Sequence, residues 1–114
     1  MRALADTINQ RDLPINCLAL IAGQFLPPHQ VTVDGIEVQL QVNYFSQFLL
    51  AHLLLDRLER HAPSRIVFMG SSYHNLGVVD WSDLRGVSSG ESDLPQYATA
   101  NLFKIMAAQE MRRS

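Results

Sequence analysis

A chain of 114 residues, 47% hydrophobic and 18% charged, has the composition of a globular protein of at most one domain, which excludes general disorder. Nine Lys+Arg against eleven Asp+Glu leave a formal charge of −2, and the single Lys is Lys104, so a phosphate backbone meets no positive field and nucleic acid is not an expected partner. Cys17 stands alone, which excludes an internal disulfide and fits a reducing compartment. The longest apolar run, Phe48–Leu55, is broken by His52 and is far shorter than the ~20 residues of a membrane span. The opening MRALADTINQRD has no apolar stretch of the signal-peptide kind, so the expected location is cytoplasmic.

In chain order, Leu4, Ala5 and Ile8 give residues 3–9 the pattern of an amphipathic helix, ended by Arg11, Asp12 and Pro14. No capping residue precedes it, as expected for the tail of a longer element. Ile15–Gly23 (INCLALIAG) reads as a strand buried on both faces, the signature of a parallel sheet covered by helices. A loop with the Pro27–Pro28 pair follows, and Asp34 with Glu37 three residues later forms a capping box for the next helix. From Ile36 to about Arg60 the positions Val38, Val42, Phe45, Leu49, His52–Leu53, Leu55 and Leu58 keep helical spacing. Pro63 stops that helix, and Arg65–Ser71 (RIVFMGS) reads as a second buried strand.

A helix between two buried strands is a βαβ unit, which makes the strands parallel and the crossover right-handed. Residues 72–92, rich in Ser, Gly, Asn and Asp around Trp81, form a long loop, of a length that usually carries function. A last helix starts at Asp93-Leu94-Pro95-Gln96 and runs to about Arg112. There is no internal repeat. Two strands are too few for a self-sufficient parallel sheet. The expected fold class is therefore α/β, a Rossmann-like three-layer parallel sheet, with residues 1–114 forming one partial domain that holds the central βαβα portion.

Ligands of such sheets sit at the carboxyl ends of the strands. Three polar groups are expected there: Ser71 after the second strand, Tyr97 in the first turn of the last helix, and Asn43 within the long helix. A hydroxyl beside a phenol suits proton transfer to or from a carbonyl oxygen, provided something lowers the phenol from its ordinary pKa of ~10. An Asn on a buried helix face serves structure equally well, so for Asn43 both readings stand. His29, His52, His61 and His74 form no i, i+4 pair, with or without Cys17, and no metal site is expected. His74 lies three residues past Ser71, but without a G-x-S-x-G elbow the pair does not read as a hydrolase dyad. Trp81 is expected to pack the long loop onto the fold.

With these residues in these places the chain resembles the short-chain dehydrogenase/reductase family, in particular its retinol-dehydrogenase-like and WW-domain-oxidoreductase-like members. The resemblance runs from Leu4 to Arg113 and is most specific in DGIEVQLQVNYFSQFLLAHLLLDRL (Asp34–Leu58), APSRIVFMGSSYH (Ala62–His74) and the helix carrying Tyr97. It implies a Rossmann-type enzyme moving hydride between a nicotinamide cofactor, NAD or NADP, and an alcohol or carbonyl. By the resemblance Tyr97 is the catalytic Tyr, Ser71 the catalytic Ser, and Asn43 the Asn that anchors a proton-relay water. Ala22 and Gly23 match a turn that approaches the cofactor's adenosine side.

The chain also departs from the family pattern. The Lys expected four residues after the Tyr, which lowers the phenol pKa and holds the nicotinamide ribose, is Asn101 here. Lys104, a further turn along the same helix about 10 Å from Tyr97, is the nearest candidate to replace it; the plainer reading is a solvated Lys. Leu20-Ile21-Ala22-Gly23 stands where the family has Asn-Asn-Ala-Gly, and no G-x-G-x-x-G turn occurs anywhere in the 114 residues. Two functions follow. One is an NAD(P)-dependent oxidoreductase of an apolar alcohol or carbonyl, of retinoid, steroid or lipid-aldehyde class. The other is a truncated, catalytically inactive member acting as a protein-interaction or dimerisation module, the homodimer forming through helix 36–60, as the resemblance implies.

Overall fold

The structure, a computed structural model, describes residues 1–12, 14–87 and 94–113. Asp93, the expected cap of the last helix, and residues 88–92 of the expected loop lie outside the described residues. Helix α1 spans Arg2–Gln10, β1 Cys17–Leu20, α2 Val38–Leu40, α3 Ser46–Arg60, β2 Arg65–Phe68 and α4 Leu94–Arg113. Between α2 and α3 the chain does not leave the helix: Gln41–Phe45 form a π-helical turn, so residues 38–60 make one rod. A short 3₁₀ turn, Ser72–Leu76, follows β2 within the expected loop.

β1 and β2 pair in parallel, Cys17 opposite Arg65 and Leu20 opposite Phe68, as the βαβ pattern requires. Their burial differs from the expectation of two fully buried strands. Leu18, Leu20, Ile66 and Phe68 turn toward α1, α3 and Met111 of α4, where they join Ala5, Leu50, Ala51 and Leu54 in one core. Cys17, Ala19, Arg65 and Val67 on the opposite face are exposed. The strand sequences are apolar on both faces, but the described residues bring helices to only one, so two of the three expected layers are present among them. A second core, Leu40, Ala100 and Phe103 with Ile36, Tyr44, Phe45 and Val79 around it, joins the rod to α4.

Two sequence expectations about the rod are corrected. Glu37, taken as the second half of a capping box begun by Asp34, is itself the cap: its carboxylate accepts from Gln39 N at 3.0 Å and Leu40 N at 2.9 Å. The residue is fully buried, and the helix N-terminus stabilises the negative charge it encloses. The expected apolar stripe is also not the main buried one. Val38 and Leu58 are buried, but Val42, Phe45, Leu49, Leu53 and Leu55 are only partly so and His52 is exposed. The deeply buried side instead runs through Leu40, Asn43, Gln47, Leu50, Leu54 and Arg57. Hydropathy spacing alone misplaces that side because three of its members are polar groups whose partners come from distant segments. No helix among the described residues is long and apolar enough to cross a membrane.

Arg57 shows how such a group ties elements together. It is 5% exposed. Its Nε donates to Asn9 Oδ1 at 2.8 Å, one terminal nitrogen to the Asn9 carbonyl at 2.9 Å and the other to Asp12 Oδ1 at 3.0 Å, fastening the end of α1 to α3. The guanidinium hydrogen bond, and then its charge, hold Asp12 below the ordinary carboxylate value of 3.8. Arg57→Met is expected to cost about 2 kcal/mol in urea denaturation, through loss of charge-assisted hydrogen bonds at a partly buried site. Because the Asp12 pKa is depressed in the folded chain, its share is present at neutral pH and lost as pH falls through the acidic carboxylate range. The difference between wild type and Asp12→Asn should therefore shrink on acidification.

Candidate functional site

The loop leaving β1 is held by three amides set four residues apart on the rod. Gln47 Nε2 donates to the Ala22 carbonyl and, at 3.2 Å, to that of Val42. Asn43 clasps Gln24 at both ends, Oδ1 accepting from its N–H at 2.7 Å and Nδ2 donating to its carbonyl at 2.8 Å. Gln39 Oε1 accepts from Leu26 N at 3.0 Å, steadying a residue whose φ of +50° lies in the left-handed region. The pairs 47–22, 43–24 and 39–26 run antiparallel and in step, because four helical residues rise about 6 Å while two extended residues advance about 6.6 Å. A plain α-helix would rotate such a series by about 40° per step; the wide π turn at Gln41–Phe45 takes up part of that drift. Gln47 Oε1 is buried with no hydrogen-bond partner among the described residues.

Ala22 and Gly23 therefore present an exposed main chain on a fixed backing. A Cβ on Gly23 would lie 3.0 Å from Asn43 Oδ1, so glycine lets the amide approach. Asn43 is 2% exposed and sits behind this loop, both ends of its amide engaged by Gln24. Of its two sequence readings, the structural one describes these contacts.

Ser71 and Tyr97 reach one edge of the sheet through a shared neighbour. Ser71 caps the 3₁₀ turn, its Oγ accepting from Tyr73 N at 3.2 Å. The Tyr73 ring then stands edge-on to Tyr97, centroids 5.9 Å apart. No direct hydrogen bond joins the two hydroxyl groups among the described residues. The third ring is Phe25, 4.7 Å from Tyr97 at 73°. His74 Nδ1 donates to the Ser71 carbonyl at 2.8 Å, not to its hydroxyl. The turn lies tightly against α4 at Gly77, where a Cβ would come within 2.8 Å of the Ala98 carbonyl and of Leu102 Cβ. Trp81 does not pack the loop inward as expected; it is 80% exposed.

The two residues weighed for the missing family Lys part company. Asn101 is 3% exposed and its Nδ2 donates to the Tyr97 carbonyl at 3.0 Å, so the amide is turned into its own helix. Lys104, taken as solvated on the sequence, is 4% exposed, and its Nζ donates to the Met69 carbonyl at 3.0 Å, just past β2 and two residues before Ser71. The side chain leans back along its helix toward the strand end, as helical side chains do. Desolvation lowers the ammonium pKa from its ordinary 10.5. Sequence reasoning missed Gln39, Gln47, Phe25 and Tyr73. Amides recurring every four residues on an apolar helix were a readable signal for the first two. Nothing local marked the aromatic pair.

No protein-family model matches the chain. It is 35% identical over 113 residues to retinol dehydrogenase 11 of Homo sapiens, covering 99% of this chain and 35% of that protein. It is 41% identical over 86 residues to retinol dehydrogenase 12 of Bos taurus, covering 75% of this chain and 27% of the relative. A crystal structure of an uncharacterized protein from Mycobacterium Paratuberculosis superposes with a TM-score of 0.80 at 28% identity, covering 96% of this chain and 40% of that one. The chain thus spans about a third of the length of the curated relatives it matches.

Asn43→Leu strands both main-chain groups of Gln24 and is expected to cost about 2–3 kcal/mol in chemical denaturation; a cost below about 0.5 kcal/mol would show that the clasp is idle. For Lys104, the depressed folded pKa means that the unfolded chain binds more protons between that value and 10.5, so stability rises with pH there. Tyr44, whose phenol is raised above its ordinary 10.0 by burial, acts in the opposite sense above that pH. As pH rises toward 10.5 the wild type should gain stability relative to Lys104→Met, and a flat difference would show that the ammonium carries no desolvation cost.

Proposed function

Since the chain is homologous over 99% of its length to retinol dehydrogenases, of the short-chain dehydrogenase/reductase family, we propose that it carries the proton-transfer edge of an NAD(P)-dependent oxidoreductase. The substrate is an apolar alcohol or carbonyl, with retinol and retinal first in line. The observation that carries this reading is the placement of Lys104, a charged group that is rarely buried unless something requires it, beneath the strand end that leads to Ser71.

In this reading the Tyr97 phenol gives a proton to the carbonyl oxygen in reduction and takes it back in oxidation. Ser71 Oγ donates a hydrogen bond to the same oxygen and orients it. Lys104 fixes the end of β2 against α4, holding the Ser71 turn at a set distance from Tyr97. Asn43 and Gln47 act from behind by fixing the Ala22–Gly23 main chain, whose small side chains let a flat group lie against it. The small residues Ala22 and Gly23 leave room for the adenosine side of a dinucleotide, but the residues present do not fit its nicotinamide ribose, since Asn101 stands where the family has its Lys and its amide is spent on the Tyr97 carbonyl. Nor do they fit the pyrophosphate, for which a Gly-rich turn at a helix N-terminus is the usual cradle and which these residues lack. When bound, the dinucleotide supplies or accepts the hydride.

A second reading, an inactive interaction module, has its own observation. Asn101 puts a neutral amide where the family places the charge beside the phenol, and Val42 and Leu49, partly covered and part of neither core, offer a face on the rod for a second copy.

The two separate on purified chain given all-trans-retinal with NADPH or NADH. The oxidoreductase reading expects dinucleotide-dependent reduction, with dinucleotide binding weakened toward about 1 mM for want of pyrophosphate contacts. It also expects a kcat about 10²–10⁴-fold lower in Tyr97→Phe. No binding of either dinucleotide and no turnover, with self-association in sedimentation that is lost in Leu49→Glu, would replace it by the module.

A further inference from the structure

Phe25 is 56% exposed and Tyr73 42%, yet neither is on a loose segment. The main chain on either side of Phe25 is fixed, Gln24 by both ends of the Asn43 amide and Leu26 by Gln39. Tyr73 stands in a turn capped by Ser71 and pressed on α4 at Gly77. Their rings are within 19° of parallel with centroids 6.3 Å apart, and both meet Tyr97 edge-on. Large apolar rings held rigidly in solvent, with only their mutual edge and face contacts to stabilise them, gain nothing for the fold that burial would not give better. Preorganised aromatic surface of this kind lowers the entropic cost of binding a ligand.

We infer that Phe25 and Tyr73 form an aromatic wall that selects, at the Tyr97 hydroxyl, substrates whose carbonyl or alcohol is attached to a flat conjugated chain, in preference to saturated chains of equal length. The inference rests on the oxidoreductase reading for its choice of ligand and on the ring geometry for its residues. A planar polyene can lie along the exposed ring faces with its terminal oxygen toward Tyr97 and Ser71, while a saturated chain, cylindrical and flexible, meets the same faces with less contact and more lost rotamer freedom. The flat partner could instead be the nicotinamide ring, and the experiment separates the two.

The test measures equilibrium binding of all-trans-retinal, of a saturated aldehyde of similar length, and of NADPH to the full chain and to Phe25→Ala, Tyr73→Ala, Phe25→Leu and Trp81→Ala. The wall predicts about a tenfold loss of retinal affinity in Phe25→Ala and Tyr73→Ala, a smaller loss in Phe25→Leu, no change in Trp81→Ala, and aldehyde and NADPH affinities within twofold of wild type throughout. Retention of retinal affinity in both alanine variants, equal losses for retinal and the saturated aldehyde, a loss confined to NADPH, loss in Trp81→Ala instead, or no retinal binding by wild type would each overturn it. Each alanine variant also loses two ring contacts, so a modestly lower thermal midpoint is expected in both; a midpoint shift with unchanged relative affinities for retinal and aldehyde counts against the wall. Binding with this selectivity but no turnover keeps the wall and removes the oxidoreductase reading, whereas turnover with KM values unchanged in the variants does the reverse.

Discussion

The contact on which the rest of this structure depends is the row of amides at Gln39, Asn43 and Gln47. An extended loop cannot satisfy its main chain by itself, and a buried helix face cannot carry polar side chains without partners. Here each solves the other's problem. The three bonded pairs keep register because helix rise and strand advance agree over four and two residues, and the π turn corrects part of the angular drift. From this match follow the fixed main chain of Ala22 and Gly23, the left-handed Leu26 and the posture of Phe25. The row is also where the structure is most exposed to single substitutions, since a buried donor or acceptor left unmatched costs more than the bond itself contributes.

The second constraint lies on the other side of the site, where α4 meets the end of β2. Lys104 crosses that junction to the Met69 carbonyl, Thr99 Oγ1 makes contacts of 3.3 Å with both main-chain groups of Val78, and Gly77 permits close approach. Tyr97 and Ser71 are thus positioned from two separate elements by a short set of polar and steric contacts rather than by the hydrophobic cores. Those cores lie below and beside them, around Leu54 and around Phe103. A division of this kind lets the packing that stabilises the chain vary independently of the edge that carries Ser71 and Tyr97.

Much of the fold was legible in the sequence because it rests on local periodicity. The apolar runs Ile15–Gly23 and Arg65–Ser71, the long helical pattern between them, and the last helix from Asp93 to about Arg112 are each read from their own residues, and parallel pairing follows from their order; the strands themselves are shorter, Cys17–Leu20 and Arg65–Phe68. What local pattern could not give was pairing at a distance. Glu37 looked like half of a cap with Asp34 because the spacing allowed it, whereas the folded chain uses its carboxylate alone. The buried side of the rod was misplaced because Asn43, Gln47 and Arg57 score as polar until Gln24, Ala22 and Asn9 are brought to them. At the site, Ser71 and Tyr97 were readable as residue types in a familiar order. Phe25 and Tyr73 were not, since only the three-dimensional path of two loops sets them beside the phenol. Lys104 was read as solvated for the same reason: its acceptor lies 35 positions earlier in the chain.

Gly77 gives this arrangement an unexpected weak point. A lone methyl group introduced there would meet the Ala98 carbonyl and Leu102 and lever the 3₁₀ turn off α4, carrying the serine and its aromatic neighbour away from the phenol while every reactive atom survived. Inherited or engineered changes at such a hinge of fit would separate the two hydroxyl groups in a chain whose sequence still looked intact. A scan for intact functional groups would pass over the damage.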